Sequence, residues 1–149
     1  MLILKKEHLH AIFRHGEKVF PRECCGLLIG EKIDGFWNVR EVLPLENTTG
    51  PQNYDQYEIS PSQRNRVEKK AREKGLVTVG FFHSHPNHEV HFSKTDLENS
   101  EEYQFGKPWL PPSYAYFVLS VKNGKAKDYG AYIVNKGKPE KIMIEINPT

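Results

Sequence analysis

The chain has 149 residues, enough for one ordinary domain with a single core and too few for a second globular unit. Lys and Arg total 21 against 19 Asp and Glu, and the resulting net charge of +2 makes no electrostatic case for a nucleic-acid partner. No apolar run approaches the roughly 18 residues of a membrane helix, and Met1 to Leu4 is too short to be a signal-peptide core. The expectation is a single cytoplasmic domain spanning 1–149, with no nucleic-acid or membrane partner.

Residues from about Lys5 to Phe20 read as a helix. Leu9, Ile12, Phe13 and Phe20 lie near one stripe, and His8, His10 and His15 are expected on its surface. Pro21 ends it. Leu27 to Ile33 reads as a strand, Asp34-Gly35 as a hairpin turn in which both residues take positive φ cheaply, and Phe36 to Leu45 as the return strand. Asn47 to Ile59 has few apolar residues and reads as a long loop. Two readings stay open for it, a border of the substrate cleft or a surface excursion. Ser60-Pro61-Ser62-Gln63 is a helix start, with the helix running to about Lys74 and stopping at Gly75. Its apolar face is thin, chiefly Val67 and Ala71, which puts it on the outside of the sheet. Arg64, Arg66, Lys69, Lys70 and Arg72 read as a solvated face in preference to a binding patch.

Leu76 to Phe82 is an apolar strand that runs into His83-Ser84-His85-Pro86. A helix is expected from Ser93 to about Tyr103, then an irregular connection over Gly106 to Pro112. Tyr114 to Val121 reads as a buried strand, Asn123-Gly124 as a turn, Ala126 to Val134 as its return, and Lys136-Gly137 as another turn. Alternating Ile142, Ile144 and Ile146 make a last half-buried strand. Helices alternate with strands early and an antiparallel meander closes the chain, so the fold class is α/β with a mixed sheet.

The two cysteines, Cys24 and Cys25, are adjacent. A bond between neighbours on a strand would be strained, and no second pair exists for a zinc ribbon, so both are expected as small buried side chains. The chemistry lies elsewhere. On a strand, side chains two apart share a face, so His83 and His85 can reach one metal ion from one side. Ser93 and Asp96 project from the first turn of the following helix. Each half has a plain explanation by itself, since His-x-His pairs are common and Ser-x-x-Asp is often only a helix cap. Together they supply two imidazoles and one carboxylate and leave a fourth position for water, the layout of a catalytic zinc site. His88 and His91 lie between the ligands and read as loop surface. Ser84 points to the opposite face of the strand and reads as structural.

The run His83-Ser84-His85-Pro86, six residues, then Ser93-x-x-Asp96 resembles the signature of the JAMM (MPN-plus) metalloproteases with no departure in spacing. Pro21-Arg22-Glu23-Cys24-Cys25-Gly26-Leu27-Leu28-Ile29-Gly30 resembles the upstream segment of short stand-alone prokaryotic members, in which an early glutamate serves the reaction. The resemblance covers about Leu9 to Tyr132. It implies a curved mixed sheet flanked by helices, of cytidine-deaminase-like type, and one zinc ion per chain on His83, His85 and Asp96. It also implies Glu23 as general base and Ser93 as a donor to the oxyanion. The implied substrate is an amide or isopeptide bond at the C-terminus of a ubiquitin-like or sulfur-carrier protein, whose tail could lie extended beside a strand edge. Two other readings remain. A metal-free MPN-type scaffold would lack ligands that this chain has. A zinc hydrolase acting on a small amide is compatible with the residues, whereas nucleobase deamination is disfavoured because the chain has no Cys-x-x-Cys.

Overall fold

The structure is a computed structural model and describes residues 1–50, 56–106 and 112–148. The centre of the irregular connection expected over Gly106 to Pro112, and residues 51–55 of the long loop, lie outside the described residues. Among the described residues, eight strands form one sheet in the order β7-β6-β5-β4-β2-β3-β1-β8. The strands are β1 (Leu2–Lys5), β2 (Cys25–Ile33), β3 (Phe36–Leu45), β4 (Val77–Pro86), β5 (Ala115–Lys122), β6 (Lys125–Asn135), β7 (Lys138–Ile142) and β8 (Ile144–Asn147). Three pairings are parallel, β1 with β3, β1 with β8, and β4 with β5; the others are antiparallel. The fold is therefore α/β with a mixed sheet, as expected.

The turns follow their sequences. Asp34 and Gly35, Asn123 and Gly124, and Lys136 and Gly137 all take positive φ, the geometry that matches a hairpin to the twist of its strands. Helix α1 (Lys6–Val19) packs in the curl of the sheet and touches β1, β3, β4, β5, β6 and β8. Leu9 and Ile12 of α1 meet Leu28, Val79, Phe82, Phe117 and Leu119 there. Helix α2 (Pro61–Glu73) covers the other face with Ala71 buried and Val67 against Leu27, Ile29 and Phe81. Strand β4 has apolar residues on both faces because it is covered on both: Phe82 belongs to the α1 side and Phe81 to the α2 side.

Three expectations need correction, and one strand carries no sequence signal. Leu2 and Leu4 are fully buried in β1. A four-residue strand is silent in sequence because its partners, β3 and β8, lie far along the chain. His8 and His15 are not surface residues. His8 is buried, and its Nδ1 accepts from the amide of Lys5 at 3.1 Å, which satisfies one of the free donors at the start of α1. His15 is half-buried with its ring edge-on to Phe82. The helix after Ser93 is two short helices, α3 (Lys94–Glu98) and α4 (Glu101–Gln104). The hydroxyl of Ser100 donates to the carbonyl of Leu97 at 2.7 Å, and the break swings Glu102 under the sheet. There Tyr116 Oη donates to its carboxylate, and burial pushes the Glu102 carboxyl up to about 6. Finally, Ile142, Ile144 and Ile146 do not share one strand. The ladder breaks at exposed Met143, leaving β7 at one margin of the sheet and β8 at the other.

Gly80 shows how closely β4 and β5 approach. It pairs with Ala115, and a Cβ at Gly80 would lie 2.2 Å from the Ala115 carbonyl oxygen. That contact is with backbone, which cannot rotate away. Gly80→Ala is therefore expected to destabilise the fold by about 1–3 kcal/mol, read as a lower urea midpoint at unchanged m-value. An unchanged midpoint would show that the two strands can separate freely.

Candidate active site

Strand β4 carries both histidines and is held on each side. His83 pairs with Cys25 of β2 and Val118 of β5, and His85 pairs with Ser120. Alternation puts His83 and His85 on the α2 side with Phe81, while Ser84 faces α1. The Ser84 hydroxyl accepts from the amide of Cys24 at 2.8 Å, which fits the structural role expected of it. The loop leaving Pro86 is pinned to the far end of β5. The Asn87 amide donates to the Val121 carbonyl at 2.7 Å, Ser120 Oγ to the His88 carbonyl at 2.6 Å, and the Asn123 amide to Asn87 Oδ1 at 2.9 Å. These bonds return the chain so that α3 begins beside the histidines.

At the start of α3 the Asp96 amide donates to Ser93 Oγ and the Ser93 amide donates to Asp96 Oδ2, each at 3.0 Å. The cap and a ligand role are thus compatible. The reciprocal cap fixes the carboxylate, and its oxygens face the imidazoles. His83 Nε2 lies 3.1 Å from Asp96 Oδ1 and His85 Nε2 lies 3.0 Å from Oδ2. The two Nε2 atoms are 3.1 Å apart. All three residues are buried and their donor atoms lie within 4.8 Å of one another.

The charges inside this cluster are informative. Burial would raise the Asp96 carboxyl, but the imidazoles and the Ser93 amide hold it well below the usual carboxylate range. Asp96 is therefore ionised and only accepts. Burial opposes charge on His83, yet the Asp96 carboxylate outweighs it and raises this imidazole, with Glu23 acting in the same sense. At His85 burial prevails over the bond to Asp96, His83 repels a second charge, and the group is lowered. One imidazole can hold a proton against Asp96, but two Nε2–H groups repel across 3.1 Å. Two lone pairs and a carboxylate that converge in this way would be satisfied by a shared cation. Donors on one tetrahedral ion at roughly 2.0–2.1 Å stand about 3.3 Å apart, close to the spacings observed. The donor set fits a metal ion.

Glu23 is buried and lies two residues before Cys25, the partner of His83. It lines one cavity with His85, Ser93 and Asp96, at whose rim lie His88 and His91. Both rim histidines are exposed, as expected for loop surface. His91, however, sets its ring edge against His85 at 4.6 Å between centroids. Cys24 and Cys25 are fully buried, and burial pushes each thiol up to about 12, so neither is a thiolate near neutral pH.

Contacts around the site add to what the sequence indicates. The ring of Tyr57 stacks on His83 with centroids 4.8 Å apart and planes at 21°, and burial with nearby carboxylates keeps its phenol neutral. Tyr57, Thr49 and Glu58 line a second cavity with Arg64, Glu101 and Tyr116. The described parts of the long loop therefore adjoin the histidines. Arg64 is also more than a solvated charge. It bonds Glu68 at 3.2 Å and Glu101 at 2.5 Å and sits over the Phe81 ring, joining α2 to α4. Asn47 and Arg22 bind the loop to the backbone around Glu23.

Residues 5–130 match the family described as prokaryotic homologs of the JAB domain. The chain belongs to that family. This JAB-family chain is 21% identical over 137 residues to a CysO-cysteine peptidase of Mycobacterium tuberculosis, covering 92% of this chain and 85% of the relative. It is 29% identical over 100 residues to a desampylase of Haloferax volcanii, covering 67% of this chain and 63% of the relative. A protein of Desulfitobacterium hafniense superposes with a TM-score of 0.83 at 24% identity, over 100% of this chain and 94% of that one. A JAB1/MPN domain protein of Archaeoglobus fulgidus does so with a TM-score of 0.60 at 19% identity, over 99% of each chain. The family match and the likeness to the JAB1/MPN domain protein establish the JAB/MPN fold that the resemblance implied.

Proposed function

We propose that the protein is a zinc-dependent peptidase of the JAB family. It hydrolyses an amide or isopeptide bond at the C-terminus of a ubiquitin-like or sulfur-carrier protein. The observation that carries this is the buried convergence of His83, His85 and Asp96 within 4.8 Å, with Glu23 and Ser93 in the same cavity. The relatives named as a CysO-cysteine peptidase and a desampylase support the substrate class.

In this reading Nε2 of His83, Nε2 of His85 and a carboxylate oxygen of Asp96 hold one zinc ion. When bound, zinc supplies Lewis acidity that polarises an amide carbonyl and makes water a nucleophile near neutral pH. The chain's own residues do the rest. Glu23 takes a proton from the attacking water on its carboxylate and passes it to the leaving amine nitrogen. Ser93 Oγ accepts from the Asp96 amide, so its O–H proton is free to donate to the developing oxyanion. Tyr57 lies against His83 and keeps water from that side of the cluster.

The test pairs elemental analysis of the purified protein with cleavage of C-terminal peptide and lysine-linked fusions of ubiquitin-like and sulfur-carrier proteins. About one zinc per chain and release of the intact carrier are expected. Binding of the carrier without cleavage by the zinc-loaded protein would favour a scaffold. Cleavage of small amides alone would move the substrate class.

A further inference from the structure

Asn47 lies two residues past the end of β3 and is half-buried. Its Nδ2 donates to the carbonyl of Glu23 at 2.9 Å and to that of Gln56 at 3.0 Å. Its Oδ1 accepts from the Thr49 amide at 3.1 Å, from Thr49 Oγ1 at 2.8 Å and from the Glu58 amide at 3.1 Å. A side-chain amide offers two N–H donors and one carbonyl oxygen, so this group is fully engaged. Its bonds reach two places that matter. Gln56 and Glu58 flank Tyr57, so Asn47 grips the backbone on each side of the residue whose ring stacks on His83. The remaining donor holds the carbonyl of Glu23. A second tie runs alongside, from Arg22 Nη2 to the Thr49 carbonyl at 2.6 Å.

We propose that Asn47 is a positioning residue that sets Glu23 and the Tyr57 ring over His83 as one unit. The proposal rests on Glu23 being the general base. β2 begins only at Cys25, so Glu23 precedes the strand, and the Asn47 amide is a specific tether at its carbonyl. Tyr57 similarly lies outside any helix or strand, between two bonds to the same side chain. One amide thereby couples the loop beside the site to the residue that moves the proton. A displacement of about 1 Å at such a group costs on the order of 100-fold in rate, without any loss of a metal ligand.

The test uses the full chain. Turnover of the carrier-protein fusion is measured for wild type, Asn47→Ala, Glu23→Gln and the double variant. The His83 ring-proton shifts are recorded by NMR on metal-free wild type and Asn47→Ala. Asn47→Ala is expected to lower kcat roughly 10- to 100-fold, to change KM less, and to keep its zinc. In the Glu23→Gln background it should cost almost nothing further, because coupled residues are non-additive. The His83 ring protons should lose the shift imposed by the stacked Tyr57. Losses that multiply in the double variant, or an unchanged kcat with only a lower Tm, overturn the proposal. Full turnover in Glu23→Gln alone is a different signature; it overturns the general-base reading and the proposal with it. Asn47→Asp guards against a folding defect. It keeps an oxygen for the Thr49 and Glu58 amides and removes both donors. Those amides should stay protected in hydrogen exchange while kcat still falls, and wild-type kcat in this variant would also overturn the proposal.

Discussion

Glu23→Gln is expected to keep its fold and its zinc and to lose roughly 10²–10⁴-fold in kcat. The substitution preserves the shape and volume of a buried side chain and removes only the capacity to take a proton. Glu23 lines the cavity with His85, Ser93 and Asp96, and in the proposed mechanism it would act on a water there while His83, His85 and Asp96 serve as the ligands. Zinc content, Tm and cleavage measured on the same two preparations separate the possibilities. Loss of zinc together with activity would make Glu23 a ligand or a prop for the ligands. Full activity in zinc-loaded Glu23→Gln would sink the mechanism.

The second large effect is expected for His85→Ala. Removing one imidazole leaves His83 and Asp96, and two protein ligands rarely hold zinc tightly. Changes to outer partners of metal ligands cost roughly 10- to 100-fold in affinity, and loss of a ligand should exceed that. After dialysis the variant is expected to retain a small fraction of the wild-type zinc, with cleavage falling to background. The backbone should tolerate the change, because His85 stays paired with Ser120 through the ladder. Equal zinc in wild type and His85→Ala, by elemental analysis, would remove His85 from the site.

The candidate metal cluster was legible because it is nearly local. His83, His85, Ser93 and Asp96 fall within one strand, one loop and one helix start, and each has a periodicity or capping signal of its own. Glu23 was a different case. No spacing rule joins it to the histidines, and only the likeness to a known motif singled it out before the pairing of Cys25 with His83 was known. Tyr57 and Asn47 fell within the long loop, for which a border of the cleft was one of two readings, but nothing singled out either residue. Their contacts with His83 and Glu23 are made across loop backbone, where side-chain periodicity carries no information. The break between α3 and α4 escaped for a related reason. Ser100 is as acceptable inside a short helix as at its end, and what decides is the tertiary bond from Tyr116 to Glu102. At the margins, β1 and β8 pair with each other from opposite ends of the chain, beyond the reach of any local pattern.

The position of β4 in the sheet has a consequence for how an extended tail can approach. The strand that carries His83 and His85 is paired with β2 from Val77 to His83 and with β5 from Gly80 to Pro86. Over Gly80 to His83 it is paired on both sides, so no further strand can be added along that stretch. The unpaired margins of the sheet belong to β7 and β8, away from the histidines. For the carrier tail of the proposed function, irregular backbone is available near the site, where the described stretches 47–50, 56–59 and 87–93 lie. Under the proposed function, sequence preference would then be written in loops and not in the strand that carries His83 and His85.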